Sequence, residues 1–197
     1  MSEERSQQLR LFVACELTDE VKGALVRVRD DLQRLGTERL RWARPEGIHV
    51  TLKFLGGVDA SKVEAIEAAL SSAIEPFELR VRLAAVGGFG GERLRVVWVG
   101  LEGDTQGLGA LASRVERALE PLGFPLERRP FAAHLTLARV PDQASTQERQ
   151  QIAALIERYE PPTLPSLTLT RVALMQSRLQ AGGSVYTRIA SFPYSSA

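Results

Sequence analysis

The chain contains only two histidines, and both lie in the same short motif. His49 belongs to the segment GIHVTLKFLGG and His134 to FAAHLTLARV, so each is followed by an apolar residue, a threonine and a leucine. Two independent histidines would both have threonine at i+2 in roughly 1 of 400 sequences of this composition. The repetition favours a shared chemical role. The alternative interpretation is a pair of ordinary histidines on core or surface strands.

Two histidines are suited to acid–base catalysis, because a neutral imidazole accepts a proton and a protonated one donates a proton near pH 7. On a strand, residues i and i+2 point to one face about 7 Å apart, so His49 shares a face with Thr51, and His134 with Thr136. The threonine hydroxyls can donate hydrogen bonds to the nonbridging oxygens of a phosphate. The motifs therefore predict a cleft in which two histidines act on opposite sides of one phosphorus atom.

Other common site patterns do not occur in the sequence. Two histidines without carboxylate or thiol partners make a poor zinc site, and the chain has neither a Gly-x-Ser-x-Gly elbow nor a Walker Gly-Lys-Ser/Thr segment. The glycine-rich segment GGFGG (residues 87–91) precedes a strand and is interpreted as a hairpin turn. Cys15, the only cysteine, is expected to be a small buried residue. We expect no metal and no cofactor.

The composition is typical of a globular protein of one domain. The chain has 197 residues, of which 44% are hydrophobic and 25% charged, and its net charge is +1. A net charge this small argues against nonspecific nucleic-acid binding through the whole-molecule field, but local arginines remain available for a small anion. Residues 1–8 are polar and resemble no signal peptide, and no apolar run reaches transmembrane length. We expect a cytoplasmic monomer without a membrane partner, with residues 1–8 disordered.

The elements needed to position the motifs follow one another twice along the chain. Strands are predicted over residues 10–17, 48–55, 77–86, 93–101, 167–179 and 185–194, and residues 128–140 are predicted to end in the strand that carries His134. Helices are predicted over residues 18–35, 59–74, 104–122 and 145–159. Residues 36–47 are predicted as a loop, and residues 124–127 as a short strand or turn.

The spacing of the two motifs indicates an internal duplication. The histidines are 85 residues apart, close to half the chain, and each histidine strand is followed by a helix. We expect an α+β fold over residues 1–197, a single bilobal domain with one histidine strand in each lobe. Two antiparallel sheets would line a central cleft about a pseudo-twofold axis, with the helices outside so that their apolar stripes are buried.

Both motifs resemble the paired signatures of the two-histidine phosphoesterases. The matching residues are His49-Val-Thr51-Leu-Lys-Phe54-Leu-Gly and Pro130-Phe131-Ala-Ala-His134-Leu-Thr136-Leu-Ala-Arg139. The segments RLFVACEL, RVVWVGL and LMQSRLQAGGSVYTRIASF are similar to one branch, the bacterial and archaeal RNA 2′,3′-cyclic phosphodiesterases, also called 2′-5′ RNA ligases. The resemblance covers about residues 9–192. It departs at FAAH, where family members often have a polar residue or proline before the histidine, which affects only the local loop.

The resemblance implies hydrolysis of a 2′,3′-cyclic phosphate, on an RNA end or a nucleotide, to a 2′-phosphate without a metal ion. Reverse 2′-5′ ligation would be a side reaction. It implies that His49 is the general acid at the leaving 3′-oxygen and His134 the base that activates water, with the order of these roles open. Thr51 and Thr136 would bind the phosphate.

The resemblance also implies that Phe54 and Arg139 flank a nucleobase, which a ring and a guanidinium can do by stacking. From the residues alone, a core position for Phe54 and a solvated position for Arg139 remain alternatives. Tyr186 is a further candidate to reach the cleft, with a core position as its alternative.

Some residues and functions stay open at this point. Arg128 and Arg129 are candidates to guide an RNA backbone, with plain surface charge as the alternative, whereas Trp42 and Trp98 are expected to be packing aromatics. Two other functions fit the sequence: a module that binds a nucleotide or RNA without turnover, and a phosphodiesterase for a small cyclic phosphate.

Overall fold

The computed structural model describes residues 7–180 and 183–193, which contain nine β-strands and four α-helices. The strands are β1 (Gln8–Glu16), β2 (Arg41–Trp42), β3 (His49–Asp59), β4 (Leu79–Phe89), β5 (Val96–Gly103), β6 (His134–Arg139), β7 (Ser166–Leu169), β8 (Val172–Gln180) and β9 (Gly183–Phe192). The helices are α1 (Asp19–Leu32), α2 (Val63–Ala73), α3 (Thr105–Leu119) and α4 (Thr146–Arg158). Gln8 begins β1, in contrast to the disorder expected for it, and residues 1–6 lie outside the described residues.

All four predicted helices are present, and their first turns follow from local sequence. The Thr18 hydroxyl accepts a hydrogen bond from the backbone N–H of Val21 at 3.4 Å, as an N-cap does. Ser145 and Glu148 form a reciprocal capping box at the start of α4. α1 ends three residues before the predicted end, because the chain widens into the turn Gln33–Thr37, where Gly36 has a φ of 104°.

The strands form one antiparallel sheet whose order is symmetric about its centre. The order is β7-β4-β5-β6-β3-β1-β8-β9, with β2 paired to β6 off this path. Strands β3, β1, β8 and β9 form what we call the first half, and β6, β5, β4 and β7 the second half. The halves join where β3 meets β6, at the single pair Val50 and Leu135. The α+β class and the pseudo-twofold arrangement are confirmed, and the two expected sheets are the halves of one continuous sheet.

The chain crosses between the halves twice. β4 follows α2 but pairs with β5 in the second half, whereas β8 follows β7 and pairs with β1 in the first half. The prediction of one strand over residues 167–179 is therefore wrong: β7 pairs with β4 and β8 with β1, so the strand breaks at Thr170 and Arg171. The first half of the sheet thus contains strands from both ends of the chain, and the second half consists of the strands between them.

Several short segments differ from the prediction. The hairpin at GGFGG is confirmed, but β4 continues to Phe89, and the turn lies at Gly90 and Gly91, with φ values of 114° and 55°. β6 (His134–Arg139) is the strand in which residues 128–140 were predicted to end, and residues 124–127, predicted as a short strand or turn, form no strand. β2, within the predicted loop, became a strand because it pairs with the far end of β6.

The helices pack on the face of the sheet opposite the cleft. α3 contacts β3 and β4, α4 contacts β4, and α2 contacts α3. A continuous apolar core lies between these layers, and both α1 and α3 bury residues at helical spacing. These residues are Val21, Ala24, Leu25, Val28 and Leu32 in α1, and Leu108, Leu111, Ala112, Val115 and Leu119 in α3. Within the described residues, no helix is both long and apolar enough to cross a membrane.

Candidate active site

The pairing of Val50 with Leu135 brings the two motifs together. In an antiparallel register, continuing this pair by one residue on each side places His49 opposite Thr136 and Thr51 opposite His134. The four side chains occupy the corners of a square on one face of the sheet, with the histidines on one diagonal. Diagonal neighbours in such a sheet are about 7–8 Å apart, which leaves room for one phosphate between the two rings.

Each histidine ring is held by a carbonyl two residues earlier on its own chain segment. Nδ1 of His49 lies 2.7 Å from the carbonyl oxygen of Gly47, and Nδ1 of His134 lies 2.7 Å from that of Ala132. Because a carbonyl oxygen only accepts hydrogen bonds, Nδ1 carries the hydrogen in both rings. Each Nε2 is left with a lone pair in the neutral ring or a proton in the charged ring, as a general base or a general acid requires.

Both histidine strands carry a β-bulge at the leucine of the motif. The register of β3 on β1 shifts at Leu52, and the register of β6 on β5 shifts at Leu137. A bulge sets two residues opposite one and so reverses the side-chain alternation beyond it. Lys53 and Ala138, which follow the bulges, are consequently buried on the core side together with the two leucines.

The bulges bring Phe54 and Arg139 to the cleft. Each lies five residues after its histidine, where strict alternation would place it on the opposite face. Both line the cleft instead. The side chain of Phe54 is 64% exposed, and its ring centroid lies 6.2 Å from that of Phe12. The core position considered for Phe54 is therefore wrong, and Arg139 is an exposed residue of the cleft wall.

The cleft between the halves has a volume of about 650 Å³. Of the six site residues predicted from the sequence, five line it: His49, Thr51, Phe54, Thr136 and Arg139. His134 is outside this lining and packs edge-on against Phe89, with ring centroids 4.8 Å apart. The structure thus places five predicted residues around one space, with His134 two positions before Thr136 on the same strand.

The surroundings of His49 are aromatic. Its ring stacks on Phe12, with centroids 4.5 Å apart, and meets the edge of Tyr186 at 5.3 Å. Tyr186 thus reaches the cleft from β9, and its ring also covers Gly47, where a Cβ would lie only 2.8 Å from a ring atom. A side chain at position 47 would therefore displace Tyr186 from His49.

Burial lowers the pKa of His49 below its usual value, and the nearby positive charge of His134 acts in the same direction. The hydrogen bond to Gly47 and the negative charge of Glu16 raise the pKa in part. Glu16 lies opposite His49 on β1 and forms a 2.8 Å ion pair with Arg188. Gly100 occupies the matching place beside His134, so a carboxylate faces only one of the two rings at this register position.

The cleft is positively charged, although the whole chain is nearly neutral. Arg10, Arg41, Arg44 and Arg139 line it, and among the residues that the structure describes no aspartate or glutamate does. Sequence analysis missed the first three because arginine is abundant throughout the chain and none of them is part of a motif. What these arginines share is a position beside the histidine strands. That position follows from strand pairings such as β2 with β6, which only the structure shows.

Of the remaining candidates, only Trp42 lines the cleft. Arg128 and Arg129 are exposed and do not line the cleft. Trp42 packs against the core and donates its indole N–H to the carbonyl of Thr37 at 3.1 Å, while the ring of Trp98 lies 5.3 Å from that of Phe89. Both are packing residues, as predicted. Cys15 is fully buried, and burial raises the pKa of its thiol to about 12, so it is a structural residue.

Lys53 links the two histidine segments through the core. Its side chain is almost fully buried, its Nζ donates to the carbonyl of Pro125 at 2.7 Å, and Glu116 of α3 lies 3.8 Å away. The paired carboxylate and the hydrogen bond compensate the charge, as burial of a lysine requires. The bulge in β3 is therefore attached to the chain segment that leads into β6.

Side chains that could hold a metal ion are not grouped in the part of the chain that the structure describes. Across residues 7–180 and 183–193, no three histidine, cysteine, aspartate or glutamate side chains come together as a metal site would need. The two histidines meet hydroxyls, aromatic rings and backbone carbonyls instead.

Comparison with known sequences agrees with this geometry. A family model described as the 2′-5′ RNA ligase superfamily matches residues 16–181. A protein of Methanothermobacter thermautotrophicus named RNA 2′,3′-cyclic phosphodiesterase is 30% identical over 189 residues, which cover 94% of this chain and 98% of that protein. A protein of Archaeoglobus fulgidus with the same name is 30% identical over 186 residues, covering 93% and 99%.

Solved structures give the same result. The structure of Escherichia coli LigT complexed with 3′-AMP is similar with a TM-score of 0.75 at 26% identity, covering 94% of this chain and 98% of that chain. The structure of TT0787 from Thermus thermophilus is similar with a TM-score of 0.75 at 28% identity, covering 93% and 97%.

Proposed function

The chain belongs to the 2′-5′ RNA ligase superfamily, and from this we propose that it hydrolyses 2′,3′-cyclic phosphates at RNA ends to 2′-phosphates without a metal ion. The curated relatives named RNA 2′,3′-cyclic phosphodiesterase support the reaction class. The proposal assigns catalysis to His49 and His134 alone as titrating groups. Its partner is RNA or a nucleotide that carries the cyclic phosphate.

One observation carries the proposal: both imidazoles donate from Nδ1 to a carbonyl of their own segment at the same distance, 2.7 Å. This leaves two equivalent Nε2 atoms for proton transfer. A site that only binds a nucleotide has no need for two titrating rings fixed in one tautomer. The matched anchoring therefore favours turnover over the alternative of a binding module.

In the proposed reaction, a water molecule attacks phosphorus in line with the bond to the 3′-oxygen. One Nε2 removes a proton from the water as its oxygen bonds to phosphorus, and the other Nε2 donates a proton to the 3′-oxygen as that bond breaks. The products are a 3′-hydroxyl and a 2′-phosphate monoester, and the pair of rings exchanges its protonation states. Thr51 and Thr136 donate hydrogen bonds to the nonbridging oxygens, where negative charge increases.

The order of the two roles follows the resemblance, with His49 as the acid and His134 as the base. Glu16 supports this order, because its carboxylate favours the charged form of His49. Burial of His49 opposes the charged form in the free protein. An anionic phosphate entering the cleft supplies a second negative charge beside the ring and favours its protonation.

The same geometry accommodates 2′-5′ ligation. If the 5′-hydroxyl of a second RNA replaces water, the same proton transfers give a 2′-5′ phosphodiester and a free 3′-hydroxyl. Phe54 and Arg139, which both line the cleft, would hold the terminal nucleobase in both reactions.

The test is an RNA oligonucleotide ending in a 2′,3′-cyclic phosphate, incubated with the purified protein and EDTA. We expect conversion to a 2′-phosphate end at an undiminished rate, identified by resistance of the end to a 3′-specific phosphatase. Loss of turnover in EDTA that zinc or manganese restores would instead indicate metal-ion catalysis. Binding of the oligonucleotide without any product would leave the binding module as the function.

A further inference from the structure

Arg41 on β2 lies directly opposite Arg139 on β6. Like charges directly opposite each other on neighbouring strands destabilise a sheet. Neither arginine has a carboxylate within ion-pair distance in the described part of the chain. Some arginines elsewhere on the surface form ion pairs with aspartate or glutamate: Arg29, Arg34, Arg39, Arg80, Arg82 and Arg188. Arg41 and Arg139 therefore repel each other, and an anion bound between them would offset this repulsion.

The arginine pair is displaced along the cleft from the reacting position. Arg139 follows His134 by five residues, on the order of 15 Å along an extended strand. Arg139 also lies three residues beyond Thr136, so Arg41 and Arg139 face each other beyond the threonine that would bind a phosphate held between the histidines. Arg10 on β1 and Arg44, which precedes the turn Pro45–Gly47, line the same cleft. The excess positive charge thus extends well beyond the space for one phosphate.

We propose that Arg41, together with Arg44, binds a second phosphate of the substrate, the one attached to the 5′-oxygen of the terminal nucleoside. A 2′,3′-cyclic phosphate ends an RNA strand, so every other phosphate of that strand lies on its 5′ side. The guanidinium group binds phosphate oxygens with paired hydrogen bonds. This inference rests on the proposed function and specifies its substrate: a nucleotide with a 5′-linked phosphate is preferred over a nucleoside 2′,3′-cyclic phosphate.

The experiment compares three substrates: adenosine 2′,3′-cyclic phosphate, its 5′-phosphorylated form, and the dinucleotide ApA ending in 2′,3′-cyclic phosphate. We expect kcat/KM to be about tenfold or more higher for the two substrates with a 5′-linked phosphate, the usual effect of a charge-assisted contact. Arg41→Gln should abolish most of this preference while leaving kcat/KM for the simple nucleoside nearly unchanged.

Arg114→Gln is the matched control. Arg114 is an exposed arginine on α3, so this substitution removes the same charge away from the cleft. The preference for substrates with a 5′-linked phosphate should persist in Arg114→Gln. Raised salt should weaken this preference equally in Arg114→Gln and in the unmodified protein. Arg41→Gln should also unfold at the same or a slightly higher temperature, because it relieves the repulsion with Arg139. An activity loss with a lower unfolding temperature in Arg41→Gln would overturn the proposal in favour of a structural role.

The kcat/KM values for the same three substrates also distinguish a single 5′-phosphate from the phosphodiester of an RNA strand. Equal kcat/KM for the 5′-phosphorylated mononucleotide and for ApA shows that a single 5′-phosphate is sufficient, as in a small dinucleotide or mononucleotide substrate. A further gain for ApA shows that the diester of an RNA strand is bound. Either result supports the subsite.

Equal kcat/KM for all three substrates, or an Arg41→Gln effect that is the same on all three, overturns the inference while the proposed hydrolysis stands. A parallel measurement covers failure of the proposed function. Equilibrium binding of adenosine 2′-phosphate and of ApA 2′-phosphate is compared in the unmodified protein and in Arg41→Gln. Tighter binding of ApA 2′-phosphate that depends on Arg41 supports the subsite even without turnover, and its absence overturns it.

Discussion

The two histidine strands share a backbone and differ in what surrounds it. Both β3 and β6 carry a histidine, and each places a threonine and a residue five positions after the histidine on the cleft. Both strands reverse face at a bulge after the threonine. Around His49 stand Phe12, Tyr186 and Glu16, whereas His134 has Phe89 and Gly100. The two histidine strands thus have the same backbone geometry. We expect the different residues around each histidine to determine which ring is the acid and which is the base.

The largest effect is expected from removing either ring. His49→Ala and His134→Ala should each lower kcat on an RNA 2′,3′-cyclic phosphate by about 10²-fold or more, the usual scale of one acid or base. The double variant should lose much less than the product of the two losses, because the rings act as one unit. Near-normal turnover in either single variant would rule out the two-histidine mechanism.

A substrate with a better leaving group should distinguish the general acid from the general base in the two single variants. If sulfur replaces the 3′-oxygen of the cyclic phosphate, the departing thiolate needs no proton, so loss of the general acid matters little. His49→Ala should then recover most of its rate relative to the unmodified protein, and His134→Ala should not. Recovery of His134→Ala instead would exchange the roles of the two rings.

The threonines should give smaller and nearly equal effects. Thr51→Val and Thr136→Val each remove one neutral hydrogen bond to the phosphate, which contributes about 1 kcal/mol, or roughly a three- to tenfold loss in kcat/KM. A loss at one position more than about tenfold larger than at the other would show that the two halves do not hold the phosphate symmetrically. Circular dichroism of both variants serves as the control for folding.

Glu16 provides the smallest effect and the most specific one. Glu16→Gln should lower the pKa of His49, since the carboxylate raises it. An acid is lost as pH rises through its pKa, so the alkaline limb of the pH–rate profile should move to lower pH. Arg188→Gln, which frees Glu16 from its ion pair, should move that limb to higher pH. Movement of the acid limb in both variants would instead identify His49 as the base.

The sequence was informative where structure is local or repeated. Alternation along a strand correctly joined His49 with Thr51 and His134 with Thr136, and helix caps such as Ser145 marked helix starts. Strand alternation predicts the wrong face for Phe54, because Leu52 forms a bulge. The motif sequence does not distinguish this leucine from a regular strand residue. The family resemblance, rather than the strand period, placed Phe54 at the cleft.

The long-range pairings were beyond the sequence pattern. β7 and β8 look like one strand because both are apolar and continuous, and only their different partners, β4 and β1, separate them. Arg41 looked like a loop residue until β2 paired with β6. The positive charge of the cleft depends on such pairings, so a census of arginines along the chain does not reveal it.

Because the chain crosses between the two halves of the sheet, cutting the polypeptide in two would separate strands that pair with each other. A chain of half this length, β1 to β4, would carry one histidine and would leave its own β1 without the neighbour that β8 provides. Two such chains could complete each other only by exchanging their last strands, which would give a homodimer with both histidines at the interface. The fold is therefore equivalent to a strand-exchanged dimer joined into one polypeptide, and cutting it between β4 and β5 should yield fragments that are active only after they reassociate.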